Sequence, residues 1–192
     1  MNIILIGPPG AGKGTQADFI AKKFALSRVS TGDLFRDNIQ NETELGNKAN
    51  EYVNSGKLVP DTIVTEMIEK WLLQNNENWI LDGFPRTINQ AESLDNILNS
   101  NTQILNIVLL ISVPNNILEN RLLDRQSIEN RSDDNIETIK IRIDTYEQET
   151  KPLISYYKKT GLLSEIDGSL SISEVSSKIK NKLINIENKI NN

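Results

Sequence analysis

Residues 7–16 read GPPGAGKGTQ, and this stretch decides the fold. It nearly fits the pattern G-x-x-x-x-G-K-[ST], a loop whose backbone N–H groups cradle nucleotide phosphates, with Gly12 sixth and Lys13 seventh. The eighth position normally carries a Ser or Thr whose hydroxyl binds Mg²⁺. Here that position is Gly14, and Thr15 follows one residue later. The stretch therefore predicts phosphate binding but leaves open how a metal would be held.

The segments on both sides of the loop support this interpretation. Ile3–Ile6 is a short and fully apolar run, as expected of a parallel strand buried on both faces. Residues 15–24 place Ala17, Ile20 and Phe24 on one face of a predicted helix. Because a strand, a Gly-rich loop and a helix are the context that the motif requires, phosphate binding is favoured over a chance Gly-rich turn.

The rest of the chain alternates apolar strands with helices. We predict strands at 79–81, 104–111 and 162–166, and helices at 33–40, 43–55, 61–73, 87–98, 114–125, 133–161 and 172–186. Asp61 is the expected N-cap of its helix. The alternation predicts one α/β domain with a parallel sheet covered on both faces. Two stretches interrupt it and are candidate moving parts: the helical residues 30–59 and the polar residues 126–132.

Composition excludes several kinds of chemistry. The 192 residues include no Cys and no His, which rules out disulfides, Cys-type zinc sites and imidazole acid–base catalysis. The net charge of −5 argues against nucleic acid or an acidic membrane as a partner. The apolar runs are too short to predict a signal peptide or a membrane span, so we expect a cytoplasmic protein.

Two acidic residues are candidates for the metal. In phosphate-loop proteins, an Asp at the end of an apolar strand helps to hold Mg²⁺. Asp82 directly follows such a run, Trp79-Ile80-Leu81. Asp33 is the second candidate, although it could instead act only as a helix N-cap.

Three further stretches extend the pattern of the loop. They are STGDLFR at residues 30–36, GKLVP at 56–60, and DGFPRT at 82–87 with Gln90. Together with the loop they closely resemble adenylate kinase, a family of nucleoside-monophosphate kinases that convert ATP and AMP into two ADP. The resemblance runs from Asn2 to about Val175. The motifs G-x-P-G-x-G-K-G-T and D-G-F-P-R are each specific to this family and its nearest relatives.

The resemblance implies a three-layer P-loop fold. Its core would comprise residues 1–29, 60–125 and 133–192, around a central five-stranded parallel sheet. Residues 30–59 would form an insert that binds the nucleoside monophosphate, and residues 126–132 would form a short lid without zinc. A monomer acting in adenine nucleotide homeostasis is expected.

The resemblance also implies the nucleotide contacts. The ATP-binding residues would be Gly10, Ala11, Gly12, Lys13, Gly14, Thr15, Arg121, Arg125, Gly168 and Leu170. The AMP-binding residues would be Thr31, Gly32, Arg36, Lys57, Leu58, Val59, Gly83, Phe84, Pro85, Arg86, Gln90, Arg131 and Arg142. Within this second set, Thr31 and Gln90 would contact the base, and Arg36 and Arg86 the phosphate. The Phe84–Pro85 peptide bond would be cis.

The implied mechanism needs positive charge but no general base. Lys13, Arg86, Arg125, Arg131 and Arg142 would stabilise the transferring phosphoryl group. Asp133 and Asp134 match lid acids that pair with arginines in the family. Mg²⁺ would be held mainly by nucleotide phosphates and water, with Asp82 and Asp33 orienting the water, which would explain Gly14.

Other functions remain as alternatives. A uridylate–cytidylate kinase shares the fold but usually has Ala in place of Thr31. A guanylate kinase would be expected to carry a G-K-S-T loop. A guanine-nucleotide switch would need N-K-x-D, whereas residues 47–50 read NKAN. A non-catalytic nucleotide-binding module is the last alternative, and it leaves the set of arginines unexplained.

Overall fold

The computed structural model describes residues 1–129 and 135–190, and within them five parallel strands form one sheet. The strands are β1 (Ile3–Ile6), β2 (Ser27–Ser30), β3 (Trp79–Asp82), β4 (Ile107–Ser112) and β5 (Leu163–Asp167). The helices are α1 (Lys13–Phe24), α2 (Thr31–Gln40), α3 (Glu44–Asn54), α4 (Asp61–Gln74), α5 (Ile88–Ser100), α6 (Asn115–Glu129), α7 (Ile136–Thr145), α8 (Pro152–Lys159) and α9 (Ile172–Ile190). The order across the sheet is β2-β3-β1-β4-β5, so the strand before the phosphate loop lies at the centre.

The sheet is buried on both faces by alternate residues of its strands. Ile4 and Ile6 of β1 pack with α4, α5 and α8 in one apolar cluster. Ile3 and Leu5 point to the opposite cluster, which contains residues of α1 and α9. This arrangement explains why the central strands read as continuous apolar runs, and it confirms the predicted α/β architecture.

The residue pattern predicted four of the five strands but not β2. Its sequence is SRVS, and only Val29 is buried. It pairs in parallel with β3 along the edge of the sheet, with Ser30 opposite Asp82. An edge strand with one apolar side chain gives almost no period-2 signal, so the five-stranded sheet followed only from the family resemblance.

Several predicted bounds differ from the structure: α6 continues to Glu129, so residues 126–129 of the predicted polar break are helical, α2 begins at Thr31, and α9 continues to Ile190. Three other predictions also need correction. The strand predicted at 104–111 begins at Ile107, since Ile104 is 72% exposed. The helix predicted at 133–161 is divided into α7, a π-helical segment at Tyr146–Thr150, and α8; its first two residues lie outside the described part of the chain. Asp61 is not the N-cap of α4 but its first residue, because the cap position belongs to Pro60.

All five strands run in the same direction, so their carboxyl ends meet at one edge of the sheet. Gly7, Thr31, Gly83 and Gly168 each follow a strand closely at that edge. In open parallel sheets, ligands bind in the crevice beyond this edge. The predicted phosphate loop and the D-G-F-P-R stretch are thereby brought to the same place.

Helices α2 and α3 pack against each other at Gly46. A Cβ atom at this position would lie 2.1 Å from the carbonyl oxygen of Asn38. The Cβ atom would be attached directly to the backbone of α3, and the oxygen belongs to the backbone of α2. Neither atom could therefore move without separating the two helices.

Substitution of Gly46 by Ala should therefore destabilise the protein. We expect the free energy of unfolding to fall by about 1–3 kcal/mol, which is typical of overpacking a close contact. Urea denaturation of the variant would measure this loss. Glu51→Ala, at an exposed position of the same helix, is the control and should change the free energy by less than about 0.5 kcal/mol.

Candidate nucleotide site

The phosphate loop joins the central strand to the amino end of α1. Gly12 is the N-cap of α1 with a φ of 88°, and no side chain caps the helix. The first N–H groups of a helix have no partner within the helix, and the helix dipole makes this end positive. The loop and the first turn of α1 thus form a site that favours an anion such as a phosphate.

Lys13 is the cation of this loop. Its ammonium group donates hydrogen bonds to the carbonyl oxygens of Gly7 and Pro8, at 2.8 and 2.9 Å. Burial lowers the pKa of Lys13 from 10.5 to about 7. The Asp82 carboxylate opposes that shift, whereas three guanidinium groups add to it. Those groups belong to Arg86, Arg142 and Arg125.

Below the loop, the two acids predicted to serve the metal share an arginine. The Arg28 guanidinium lies 3.0 Å from Asp82 Oδ2 and 3.3 Å from Asp33 Oδ2. Its other terminal nitrogen lies 3.1 Å from Asp18 Oδ1. Arg28 therefore connects residues of α1, α2 and β3, and its single charge offsets part of the negative charge of these three acids, which line the loop's cavity.

Asp33 is not a helix N-cap, so that alternative was wrong. Ser30 is the N-cap of α2, and its hydroxyl accepts the N–H of Asp33. The Asp33 carboxylate instead accepts a hydrogen bond from Arg36. Although burial acts to raise the pKa of Asp33, this bond and the charge of Arg36 bring it below its ordinary value. Asp33 therefore stays ionised at neutral pH.

The acids fit a hydrated metal that arrives with a nucleotide. A Cβ atom on Gly14 would lie 3.8 Å from Asp82 Oδ2, so this carboxylate faces the position that carries Ser or Thr in the common motif. Carboxylate oxygen is the ligand type that Mg²⁺ and its water molecules prefer. In residues 1–129 and 135–190, no cluster of three metal-ligating side chains was found.

On the other side of the sheet edge, the carbonyl oxygen of Gly83 orients two predicted AMP residues. It accepts hydrogen bonds from Thr31 Oγ1 at 2.8 Å and from Arg86 Nε at 2.7 Å. A Cβ atom on Gly83 would lie 2.8 Å from Thr31 Oγ1 and 2.9 Å from Arg86 Nη2. Only glycine allows both side chains to approach this closely.

Gln90 is held by protein groups on both ends of its amide. Its Oε1 accepts the backbone N–H of Arg86 at 2.7 Å, and its Nε2 donates to Asp61 Oδ1 at 2.7 Å. The side chain is 1% exposed. Gln90 thus lies at the wall of the site in a fixed orientation.

Two adjoining cavities contain most of the predicted residues, and we name each cavity after the nucleotide that its residues are predicted to bind. The ATP-side cavity is lined by Gly10, Ala11, Gly12, Lys13, Gly14, Thr15, Arg121, Arg125, Gly168 and Leu170, together with Asp33 and Asp82. The AMP-side cavity is lined by Thr31, Gly32, Arg36, Lys57, Leu58, Val59, Gly83, Pro85, Arg86, Gln90 and Arg142. Their common wall contains Lys13, Arg36, Arg86 and Arg142. Four cations thus lie where the two cavities meet.

Among the predicted site residues that the structure describes, Phe84 is the one that lines neither cavity. Phe84 is fully buried in the apolar core, although its peptide bond to Pro85 is cis as expected. Arg131, Asp133 and Asp134 lie outside the described residues.

Sequence reasoning missed the residues that orient the predicted ones. Arg28 lies on the strand that the pattern did not reveal, and a single arginine gives no signal of its acidic partners. Asp61 was assigned to a cap because it follows Pro60. On the ATP side, Arg121 donates to the carbonyl oxygen of Gly168 at 2.9 Å, a contact between residues far apart in sequence.

The fold and the site define a class of protein. A phosphate loop beside a central parallel strand, with two cavities that meet at a cationic wall, is typical of P-loop proteins that act on nucleotides. The family model of adenylate kinase matches residues 5–162, and the chain belongs to this family of nucleoside-monophosphate kinases.

Curated relatives agree with this assignment. An adenylate kinase from Thermobifida fusca is 47% identical over 178 residues, covering 92% of this chain and 94% of the relative. One from Prochlorococcus marinus is 45% identical over 181 residues, with coverage of 94% and 97%. One from Clostridium kluyveri is 41% identical over 212 residues, with coverage of 95% and 98%.

The alignment lengths differ in an informative way. The Clostridium kluyveri alignment covers 95% of 192 residues, or about 182, so about 30 of its 212 positions face gaps in this chain. The Thermobifida fusca alignment spans only 178 positions and requires no such gap. This chain therefore lacks about thirty residues that some members of the family contain.

One finding concerns membranes. Among the described helices, none has both the length and the apolar character needed to cross a bilayer.

The lowered pKa of Lys13 predicts that nucleotide binding takes up a proton. At pH 8 most Lys13 side chains are neutral, and a bound polyphosphate favours the ammonium form. ADP binding should therefore take up as much as about one proton at pH 8, and affinity should fall as the pH rises from 7 to 9. Calorimetric titration in two buffers of different ionisation enthalpy measures the uptake. Lys13→Met is the control; equal proton uptake in both proteins would contradict the assignment.

Proposed function

We propose that this chain is an ATP:AMP phosphotransferase that converts ATP and AMP reversibly into two ADP in the presence of Mg²⁺. The observation that carries the proposal is the pair of cavities that meet at Lys13, Arg36, Arg86 and Arg142. Two nucleotides whose phosphates meet at this wall would both lie within reach of its four cations. A protein that binds a single nucleotide would have no use for the second cavity.

The cavities suggest which nucleotide binds where. The ATP-side cavity contains the phosphate loop, whose N–H groups and Lys13 suit a triphosphate. The other cavity contains Thr31 and Gln90, two buried hydrogen-bonding side chains that suit a base. We assign ATP to the first and AMP to the second.

The reaction is a direct transfer between phosphates. An oxygen of the AMP phosphate attacks the γ-phosphorus of ATP, the bond from that phosphorus to the β-phosphate oxygen breaks, and ADP leaves. Because the attacking oxygen is already an anion, no general base is required. The protein contributes positioning and positive charge, from Lys13, Arg86, Arg125, Arg131 and Arg142.

Bound Mg²⁺ would neutralise charge on the ATP phosphates, and the residues below the loop fit its water shell. In our proposal, Asp82 and Asp33 accept hydrogen bonds from that water. Arg28 contacts Asp82 Oδ2 and Asp33 Oδ2, so it would fix the positions of both carboxylates beside a hydrated metal. No zinc is proposed.

Water is a competing acceptor of the phosphoryl group, so the site must exclude it during transfer. We propose that residues 30–59 close over AMP and residues 126–132 close over ATP, each on binding its own nucleotide. In this proposal the enzyme acts as a cytoplasmic monomer with small-molecule nucleotides as its only partners.

The deciding experiment is an assay of ADP formation from ATP with AMP, CMP, UMP or GMP, with and without Mg²⁺. We expect AMP to be the preferred acceptor and turnover to require Mg²⁺. A preference for CMP or UMP would instead indicate a pyrimidine monophosphate kinase. Failure to turn over any monophosphate would indicate a binding module without catalytic activity.

Substitutions on the two sides of the site should separate the two nucleotides. Arg86→Ala removes a guanidinium beside Gly83 in the AMP-side cavity, so we expect kcat/KM for AMP to fall about a hundredfold or more and the KM for ATP to change little. Arg121→Ala is the matched variant on the ATP side and should raise the KM for ATP instead. Steady-state kinetics with each substrate varied in turn would measure both. If Arg86→Ala raised the KM for AMP and the KM for ATP by the same factor, the assignment of the cavities would be contradicted.

A further inference from the structure

The carboxylate of Asp61 fixes the orientation of the Gln90 amide. We propose that Asp61 is a positioning residue that determines base specificity: it makes the AMP-side cavity select a purine with an amino group, rather than a carbonyl group, at position 6. The inference rests on the proposed function, because it concerns the acceptor nucleotide of that reaction.

The partners of the Gln90 amide have opposite hydrogen-bonding character. The backbone N–H of Arg86 can only donate, and it points to Oε1 at 2.7 Å. A carboxylate can only accept, and Asp61 Oδ1 lies 2.7 Å from Nε2. If the amide rotated by 180°, its NH₂ group would face a donor and its oxygen would face a carboxylate. Both hydrogen bonds would be replaced by repulsive contacts, so only one orientation is stable.

Asp61 is itself held in place at the junction of two helices. It is the first residue of α4, where the helix dipole favours a negative charge. Its second oxygen, Oδ2, accepts the hydroxyl hydrogen of Thr87 at 2.8 Å. The Thr87 hydroxyl in turn accepts the backbone N–H of Gln90 as the N-cap of α5. The carboxylate is thus fixed relative to the backbone that carries Gln90.

The orientation of the amide determines what it can still bind. After the two protein bonds, the Gln90 amide retains one N–H on Nε2 and one lone pair on Oε1. Gln90 lines the AMP-side cavity together with Thr31. The cavity therefore presents a donor and an acceptor in a fixed order to any base that reaches this wall.

Adenine and guanine differ in the order of these groups. Adenine has an acceptor at N1 and a donor on its 6-amino group, whereas guanine has a donor at N1 and an acceptor at O6. A base held in one place can therefore match one orientation of the amide but not the other. A site with fixed polar groups rejects the mismatched base because buried groups would be left unpaired.

The Asp61→Asn variant separates this role from simple helix packing. Asparagine has nearly the same shape and can still bond to Gln90 and Thr87, but it can donate as well as accept. The amide of Gln90 could then rotate at a lower cost. We expect the ratio of kcat/KM for AMP to kcat/KM for GMP to fall about tenfold, mainly through a lower KM for GMP.

Two further variants serve as controls. Asp61→Glu retains a group that can only accept, so it should preserve more of the preference for AMP than Asp61→Asn does. Asp95→Asn alters a carboxylate of α5 that accepts the Tyr156 hydroxyl at 2.6 Å and lies outside both cavities. Asp95→Asn should lower the melting temperature about as much as Asp61→Asn does. It should leave the ratio of kcat/KM for AMP to kcat/KM for GMP unchanged. Because each ratio is measured on a single preparation, partial unfolding cancels from it.

The outcomes are distinct. A lower ratio in Asp61→Asn alone supports the inference. An unchanged ratio in Asp61→Asn, or an equal fall in Asp95→Asn, would overturn it and leave Asp61 as a structural residue. Absence of AMP turnover in the wild-type protein would instead count against the proposed function itself.

Discussion

A partly buried ammonium group that lies near three guanidinium groups is the constraint on which the site depends. Lys13 is enclosed by the loop that it belongs to, and its pKa is lowered to about 7 by burial and by three arginines. Two loop carbonyls and Asp82 offset only part of this cost. The charge is fully stabilised only by an anion, and phosphate groups at the common wall of the two cavities would provide it. Binding of a polyphosphate would therefore relieve the unfavourable electrostatic free energy of the Lys13 ammonium group, and this relief would increase the affinity.

The same balance of charge accounts for the glycine at position 14. With no hydroxyl at this position, the nearest protein oxygens are those of Asp82, and they are shared with Arg28. An acid already paired with a guanidinium is a weak direct ligand for a metal but a good acceptor for a water molecule bound to it. The departure from the common motif and the presence of Arg28 both favour a metal that enters with the nucleotide, as we propose.

The apolar core was the most predictable part of the fold. β1, β3 and the centre of β4 are buried on both faces, and burial of that kind leaves continuous apolar runs in the sequence. β2 is an edge strand whose stability depends on its pairing with β3, so its own four residues carry little information. The division of the helix predicted at 133–161 was also not predicted, because the π-helical segment Tyr146–Thr150 is only five residues long and interrupts the apolar periodicity too briefly to be recognised.

In the candidate site, the residues that we propose to contact phosphate were easier to single out from the sequence than the residues that orient them. The loop and the D-G-F-P-R stretch are contiguous, and their chemistry requires particular residues at particular spacings. Arg28 and Asp61 act through partners that are 54 and 29 residues away in sequence. Neither belongs to a local pattern that links it to its partner, so only the three-dimensional structure reveals what each one holds.

The two ends of the AMP-side cavity differ physically: one has polar groups in fixed positions, and the other has positive charge. At the base end, Thr31 and Gln90 are fixed by bonds among protein atoms, so a base that fits loses little entropy in arranging them. At the phosphate end, the guanidinium groups of Arg86, Arg142 and Arg125 help to lower the pKa of Lys13, and a bound phosphate would favour its ammonium form. Affinity then comes chiefly from neutralising charge, which any nucleotide can do, and selectivity comes from the rigid base end. Because the two ends share Gly83, whose carbonyl oxygen binds both Thr31 and Arg86, a displacement at one end is transmitted to the other. A base that fits poorly would therefore also misplace the guanidinium that serves the phosphate, and selection of the base becomes selection of the reaction.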